Sequence, residues 1–195
     1  MSGHKKYPVR IPRYASGIKM QETRSSGRSW WARRWMEALE VMGLKGRLGR
    51  GRDYAVRGQV VSMTIEGSLV TAVVQGTREN PYSVELRFRA PQGEARQTLI
   101  ADLASEPMLV ARLLADDLPT EVELLFKKAG CDLFPGAKLG PGKYDMTSSC
   151  SCPDYANPCK HVVAALMVLG EEISRRPLVL LALRGISMEE LYDED

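Results

Sequence analysis

Four side chains of the kinds that bind borderline-soft metal ions fall within twelve residues, Cys150-Ser151-Cys152-Pro153-Asp154-Tyr155-Ala156-Asn157-Pro158-Cys159-Lys160-His161. The stretch holds three of the four cysteines of the 195-residue chain and one of its two histidines. Three thiolates and an imidazole complete the tetrahedral shell of a structural zinc ion, so Cys150, Cys152, Cys159 and His161 are the candidate ligands of a Zn2+ cofactor. A shell closed by four protein donors leaves no position for water or substrate, and the chemistry expected of it is cross-linking. The alternatives are buried thiols acting as small apolar side chains, or a disulfide. A bond between Cys150 and Cys152 would close a strained, very small ring. Donor type and spacing favour the metal.

Three kinds of element must bring these donors together. Residues two apart in an extended strand share a face, so Cys150 and Cys152 can both point at one ion. The six residues between Cys152 and Cys159 include Pro153, Asn157 and Pro158, which dictate a loop. From His161 to Leu169 the chain is apolar nearly all round, as in a buried helix, so Cys159 and His161 sit where that helix begins. Upstream, Lys143 to Ser149 reads as a polar strand that delivers Cys150.

Cys-x-Cys, a short insert, then Cys-x-His running into an apolar helix resembles the SWIM-type zinc finger. The residues that carry the resemblance are Cys150-Ser151-Cys152-Pro153-Asp154 and Pro158-Cys159-Lys160-His161. The wider sequence resembles a bacterial SWIM zinc-finger protein family through Gly27-Arg28-Ser29-Trp30-Trp31, Val74-Gln75-Gly76-Thr77-Arg78 and Arg184-Gly185, over roughly residues 27 to 191. That resemblance implies a zinc-dependent module that binds DNA or protein, in a family associated with Snf-class helicase-like translocases.

The net charge of +3 conceals an asymmetry. Residues 1 to 60 carry fourteen Lys and Arg against four acids, and the remainder is acidic. A basic leading third suits a chain that meets a polyanion at one end; a solubilising arm is the plain alternative. Residues 1 to 26 mix cations with prolines, glycines and serines and read as a flexible basic arm, in which Tyr7 and Tyr14 could stack on bases. Lys45, Arg47, Arg50 and Arg52 alternate with glycines in what reads as a loop fitted to a phosphate backbone. Lys160, between two ligands, is a fifth candidate phosphate contact. No run of apolar residues is long enough to span a bilayer and no apolar signal core occurs, so a cytoplasmic location is expected.

The rest of the chain predicts an α+β fold with a three-stranded antiparallel meander, a helical layer and the strand-loop-helix finger. Ser29 caps an amphipathic helix in which Trp31, Trp35, Ala38, Leu39 and Met42 recur at three- and four-residue steps. Tryptophans so spaced belong to a core or interface. Residues 54 to 90 divide into three extended segments with turns at Glu66-Gly67-Ser68 and Gly76 to Pro81. Helices follow from Gly93 to Gly130, interrupted before Pro107 and Pro119, and a short helix covers Leu178 to Leu183. The expected divisions are a basic arm over 1–26, helix, sheet and helices over 27–130, and the finger with its C-terminal helices over 131–195.

No catalytic residue is expected. The zinc-deaminase pattern needs His-x-Glu and Pro-Cys-x-x-Cys, and the chain has neither. His4 lies in the arm, and Cys131 has no pairing partner in the sequence. The expected function is a zinc-binding nucleic-acid module, DNA more than RNA, with a Snf-class helicase-like partner. A protein-interaction adaptor is the alternative.

Overall fold

In a computed structural model, which describes residues 11–21, 29–42, 44, 46–136, 138–140 and 143–192, the finger helix is the piece on which the other elements are assembled. In chain order the elements are α1 (Trp30–Val41), α2 (Leu48–Val56), β1 (Val60–Glu66), β2 (Leu69–Val74), β3 (Tyr82–Phe88), α3 (Gly93–Ala104), α4 (Pro107–Leu114) and α5 (Thr120–Lys128). Then come β4 (Lys138–Gly140), β5 (Lys143–Tyr144), β6 (Met146–Cys150), α6 (Lys160–Arg175), α7 (Leu178–Leu183) and α8 (Glu189–Tyr192).

Every residue of α6 from His161 to Gly170 is buried, which requires neighbours on all sides. The inner face of the sheet covers one side and α1 and α2 cover another. Close approach is licensed by glycine. A Cβ at Gly51 would stand 2.3 Å from the Val163 side chain, and one at Gly170 would stand 2.5 Å from the Trp35 indole. Trp35 is fully buried against α6 and donates its indole N–H to the Leu166 carbonyl. Trp30 and Trp31, partly buried, pack against the core and donate to the carbonyls of Leu118 and Ile173.

The meander holds one more strand than the sequence suggests. The order is β1-β2-β3-β6, all neighbours antiparallel, and the polar strand that delivers Cys150 is the fourth member. Alternation supplies the two faces. Val70, Ala72, Val74, Val84, Leu86, Phe88 and Met146 point into the core, while Ser62, Thr64, Thr71, Ser83, Thr147 and Ser149 face outward. The strand itself is legible in the sequence, but its membership of the sheet is not, because three of its five residues are hydroxylic and more than fifty residues separate it from β3.

Three other expectations change. The arginine-glycine stretch is not a loop: from Leu48 it is α2, with Gly51, Tyr54 and Ala55 on one buried face. Its glycines each cost about 1 kcal/mol of helix propensity relative to alanine, offset at Gly51 by the close contact with α6. The first strand begins at Val60, because Tyr54 and Val56 belong to α2. Residues 11–21, expected to be loose, lie along the body instead. The amides of Gly17, Ile18 and Met20 donate to the carbonyls of Gly58, Val60 and Ala55, and Met20 is buried. A Cβ on Gly17 would fall 2.1 Å from the Val60 carbonyl oxygen, so glycine alone fits that crossing. Residues 1–10 and 22–28 lie outside the described residues.

The root of β6 is fixed by a buried ion pair. Arg184, 2% exposed, donates to the Asp145 carboxylate at 2.6 Å and to the carbonyls of Leu133 and Arg89. Asp145 also accepts from the Gly136 amide. With its hydrogen bonds satisfied, the pair ties α7, β3 and the approach to β6 together; removing one partner of such a pair costs about 3–5 kcal/mol.

Candidate metal centre

The donors come from the three elements expected. Cys150 ends β6, opposite Val84 of β3. The pairing continues one step further, since the Ser151 amide donates to the Ser83 carbonyl and the Ser83 amide to the Ser151 hydroxyl. The chain then leaves the sheet at Cys152. In the loop, the Asn157 side chain donates to the Ser148 carbonyl and accepts from the Ser148 hydroxyl, while the Ala156 amide donates to the Asp154 carboxylate. Cys159 is the residue preceding α6, and His161 lies in its first turn.

All four donor atoms lie within 4.8 Å of one another. The Cys150 and Cys159 sulfurs stand 3.9 and 3.7 Å from His161 Nδ1. A zinc tetrahedron with bonds of about 2.0–2.3 Å has edges of roughly 3.5–3.8 Å, so the cluster is near the size the ion requires. Charge agrees with geometry. The Cys159 thiol is lowered to about 3, first by a hydrogen bond from Cys150 and against the pull of burial, then by His161 and the amides at the start of α6. Cys150 is pushed up because it gives that hydrogen bond and is half-buried, and burial pushes Cys152 up as well. The sulfurs are too close to carry three charges among themselves, and a divalent cation relieves that crowding. Cys150, Cys152, Cys159 and His161 are positioned to bind a metal ion, and the donor set is that of zinc.

The imidazole is aimed by packing. Tyr82 and Tyr54 stand 4.7 and 5.3 Å from its ring centre. Behind it lies Gly76, where a Cβ would meet the Tyr82 ring at 2.3 Å and His161 Nε2 at 3.3 Å. Nε2 is buried with no hydrogen-bond partner among the described residues, so Nδ1 is the nitrogen presented to the sulfurs. Sequence reasoning missed Tyr54, Tyr82 and Gly76 as supports of the site. The signal available was a glycine two residues past a strand, but the contact that needs it is set by the sheet.

The strand register also shows which cations lie near the finger. Val84 faces Cys150, whereas Phe88 faces Met146, so the finger end of the sheet holds the β2–β3 turn, the start of β1 and the C-terminal end of α2. Lys160 places its ammonium 5.0 Å from the centre of the Tyr54 ring, bridging α6 to α2. Arg57 and Arg78 follow α2 and β2 at that end. Arg50 and Arg52 are exposed on α2, and Arg50 donates to the Gly46 carbonyl. Arg47 caps the far end of α2, about 10 Å along the axis from Tyr54. Lys45 lies outside the described residues. Cys131 is not near the donors: its thiol donates to the Phe126 carbonyl, burial pushes it up, and it lines a cavity of about 310 Å³ beside Asp145, at the opposite end of the sheet.

Residues 141–170 match the model of the SWIM zinc finger. The chain is also 38% identical over 185 residues to the uncharacterized protein Rv2102 of Mycobacterium tuberculosis, an alignment that covers 94% of this chain and 65% of that protein. It therefore spans less than two thirds of that relative's length. No solved structure matches it. With the donors gathered at the end of β6 and the start of α6, the chain carries a SWIM zinc finger.

Proposed function

We propose that the protein is a non-catalytic module of the cytoplasm in which Cys150, Cys152, Cys159 and His161 hold one structural zinc, and the surface beside that zinc contacts nucleic acid. DNA is preferred to RNA on the strength of the family resemblance, which also suggests a Snf-class helicase-like partner. The observation that carries the reading is the pairing of charges. Away from the finger, Arg34, Arg87, Arg96, Arg112, Lys127, Lys128, Arg175, Arg176 and Arg184 all have a carboxylate partner. Among the described residues, Arg13, Lys19, Arg47, Arg50, Arg52, Arg57, Arg78 and Lys160, grouped along α2, the start of β1 and the finger, form no ion pair, and at the opposite end of the sheet Arg89 forms none either. A group of cations without carboxylates running along α2 to the finger suits phosphates, and each phosphate neutralised steepens the salt dependence by about 0.9 for a duplex. Asp53, Glu79 and Asp154 lie near the same end and favour contacts to the backbone over readout of base edges.

The adaptor reading, in which the tryptophan helix or the finger docks on a partner, draws less support from that helix, because Trp35 is buried and the indole N–H groups of Trp30 and Trp31 are already bonded within the fold. Binding to mixed-sequence DNA measured across a range of salt tests the choice. The chain should bind with a steep salt dependence, and replacing Arg47, Arg50, Arg52 and Lys160 together by alanine should reduce the slope by about 3–4 while zinc content stays unchanged. Absence of DNA binding at low salt, with salt-tolerant retention of a protein partner, would overturn the reading in favour of the adaptor.

A further inference from the structure

Two tyrosines are placed where packing gives them nothing to do. Tyr155, in the loop between Cys152 and Cys159, is 100% exposed, and Tyr14 is 90% exposed. An aromatic ring is worth burying, so a fully wet one on an ordered backbone is conspicuous beside unpaired cations.

Neither ring stands on a loose stem. The loop of Tyr155 is pinned at both ends by metal donors and in between by the Asn157 hydrogen bonds to Ser148. Tyr14 follows Arg13, whose amide donates to the Gly76 carbonyl at 2.9 Å and whose carbonyl accepts from the Gln59 side chain at 2.8 Å. Gly76 backs onto His161 Nε2, while the Tyr155 loop begins and ends at the sulfurs facing His161 Nδ1. Both tyrosines are therefore carried on backbone attached to the finger end of the molecule. Arg13 adjoins one ring, and Lys160 lies five residues beyond the other.

We infer that the polyanion bound at this end is single-stranded nucleic acid, whose bases stack on Tyr155 and Tyr14 while its phosphates meet Arg13, Arg57 and Lys160. The inference rests on the nucleic-acid reading above and narrows it. Stacking on tyrosine requires the face of a base, which a paired duplex keeps inside its own stack, and it is indifferent to sequence because every base has such a face. Cations spaced along the same surface supply attraction to the backbone. Rings held on pinned backbone lose little freedom on binding, since tyrosine has two side-chain torsions to fix.

The test compares binding of the full chain, by fluorescence anisotropy at fixed salt, to a mixed-sequence single-stranded DNA, its RNA counterpart and the matching DNA duplex. The variants are Tyr14→Ala, Tyr155→Ala and Tyr155→Phe. Single strands should bind more tightly than the duplex. Each alanine variant should lose about 5- to 150-fold on single strands, with zinc content and salt slope unchanged. Tyr155→Phe, which keeps the ring, should bind like the parent chain. The two single-stranded arms separate DNA from RNA as the source of the bases. Equal or tighter binding to duplex, or alanine variants that bind single strands as the parent does, would overturn the inference and leave the wider nucleic-acid function standing. Failure of every probe to bind would overturn both.

Discussion

His161 shows how much a single side chain does here. It closes the donor set through Nδ1, fills the space between Tyr54 and Tyr82, and belongs to the buried helix α6. Cys159, one residue before that helix, joins the loop to it. Replacing Cys159 by serine or His161 by alanine should therefore reduce zinc well below one equivalent and loosen residues 150–161. The β1–β3 meander should persist, because its partners and inner face do not depend on the ion. Zinc analysis and amide hydrogen exchange on the two variants check this; stoichiometric zinc in both would exclude the assignment. The donors were legible from sequence alone, since type and spacing are local properties. Gly76, Tyr54 and Tyr82 were not, since they reach His161 through strand pairing and helix packing that a local pattern does not encode.

Among the elements, α2 is the most instructive. Its arginines and glycines look like a loop fitted to phosphate, and local propensity agrees. Tertiary packing prevails: Gly51, Tyr54 and Ala55 make one face, and the missing side chain at Gly51 lets α2 lie against Val163. Gly51→Leu should destabilise the fold by about 1–3 kcal/mol through overpacking, read as a lower urea midpoint, and should weaken DNA binding by moving the arginines with the helix. An unchanged midpoint would mean that α2 is not seated where its glycine places it. On the other side of the molecule α1 and α5 are joined by Arg34 and Glu123, 2.7 Å apart. Burial alone would raise the Glu123 carboxyl, but the hydrogen bond and charge of Arg34, helped by Lys127, hold it below the ordinary carboxylate range. A lowered folded value stabilises the protein above the unfolded carboxylate range, and that contribution is lost as pH falls through the folded value. Urea titrations from neutral into acidic pH should show a shallower acid-side loss in Glu123→Gln than in the parent chain. Identical acid limbs would remove the pair from the stability of the α1–α5 contact.

At the scale of the whole molecule, the described residues form one body with chemically distinct ends. One cluster of buried apolar residues includes members from Met20 to Leu191, with α6 at its centre. The helices of the middle third were readable because Pro107 and Pro119 mark their starts and their apolar residues recur at helical steps. The pairing of the polar strand β6 with β3 and the packing of segment 11–21 were not, because each is polar or short and is ordered by a partner remote in sequence. Their placement matters for function: β6 sets the donor Cys150 at the edge of the sheet, and residues 11–21 bring Arg13 beside Gly76. The organising claim is that a closed zinc shell holds this end of the molecule and performs no reaction. Zinc X-ray absorption on the purified full chain tests it most directly. One equivalent of zinc should show three sulfur neighbours at about 2.3 Å and one nitrogen at about 2.0 Å, with no oxygen from solvent. A shell rich in oxygen or holding an open water position, or a chain that binds no zinc, would contradict the claim.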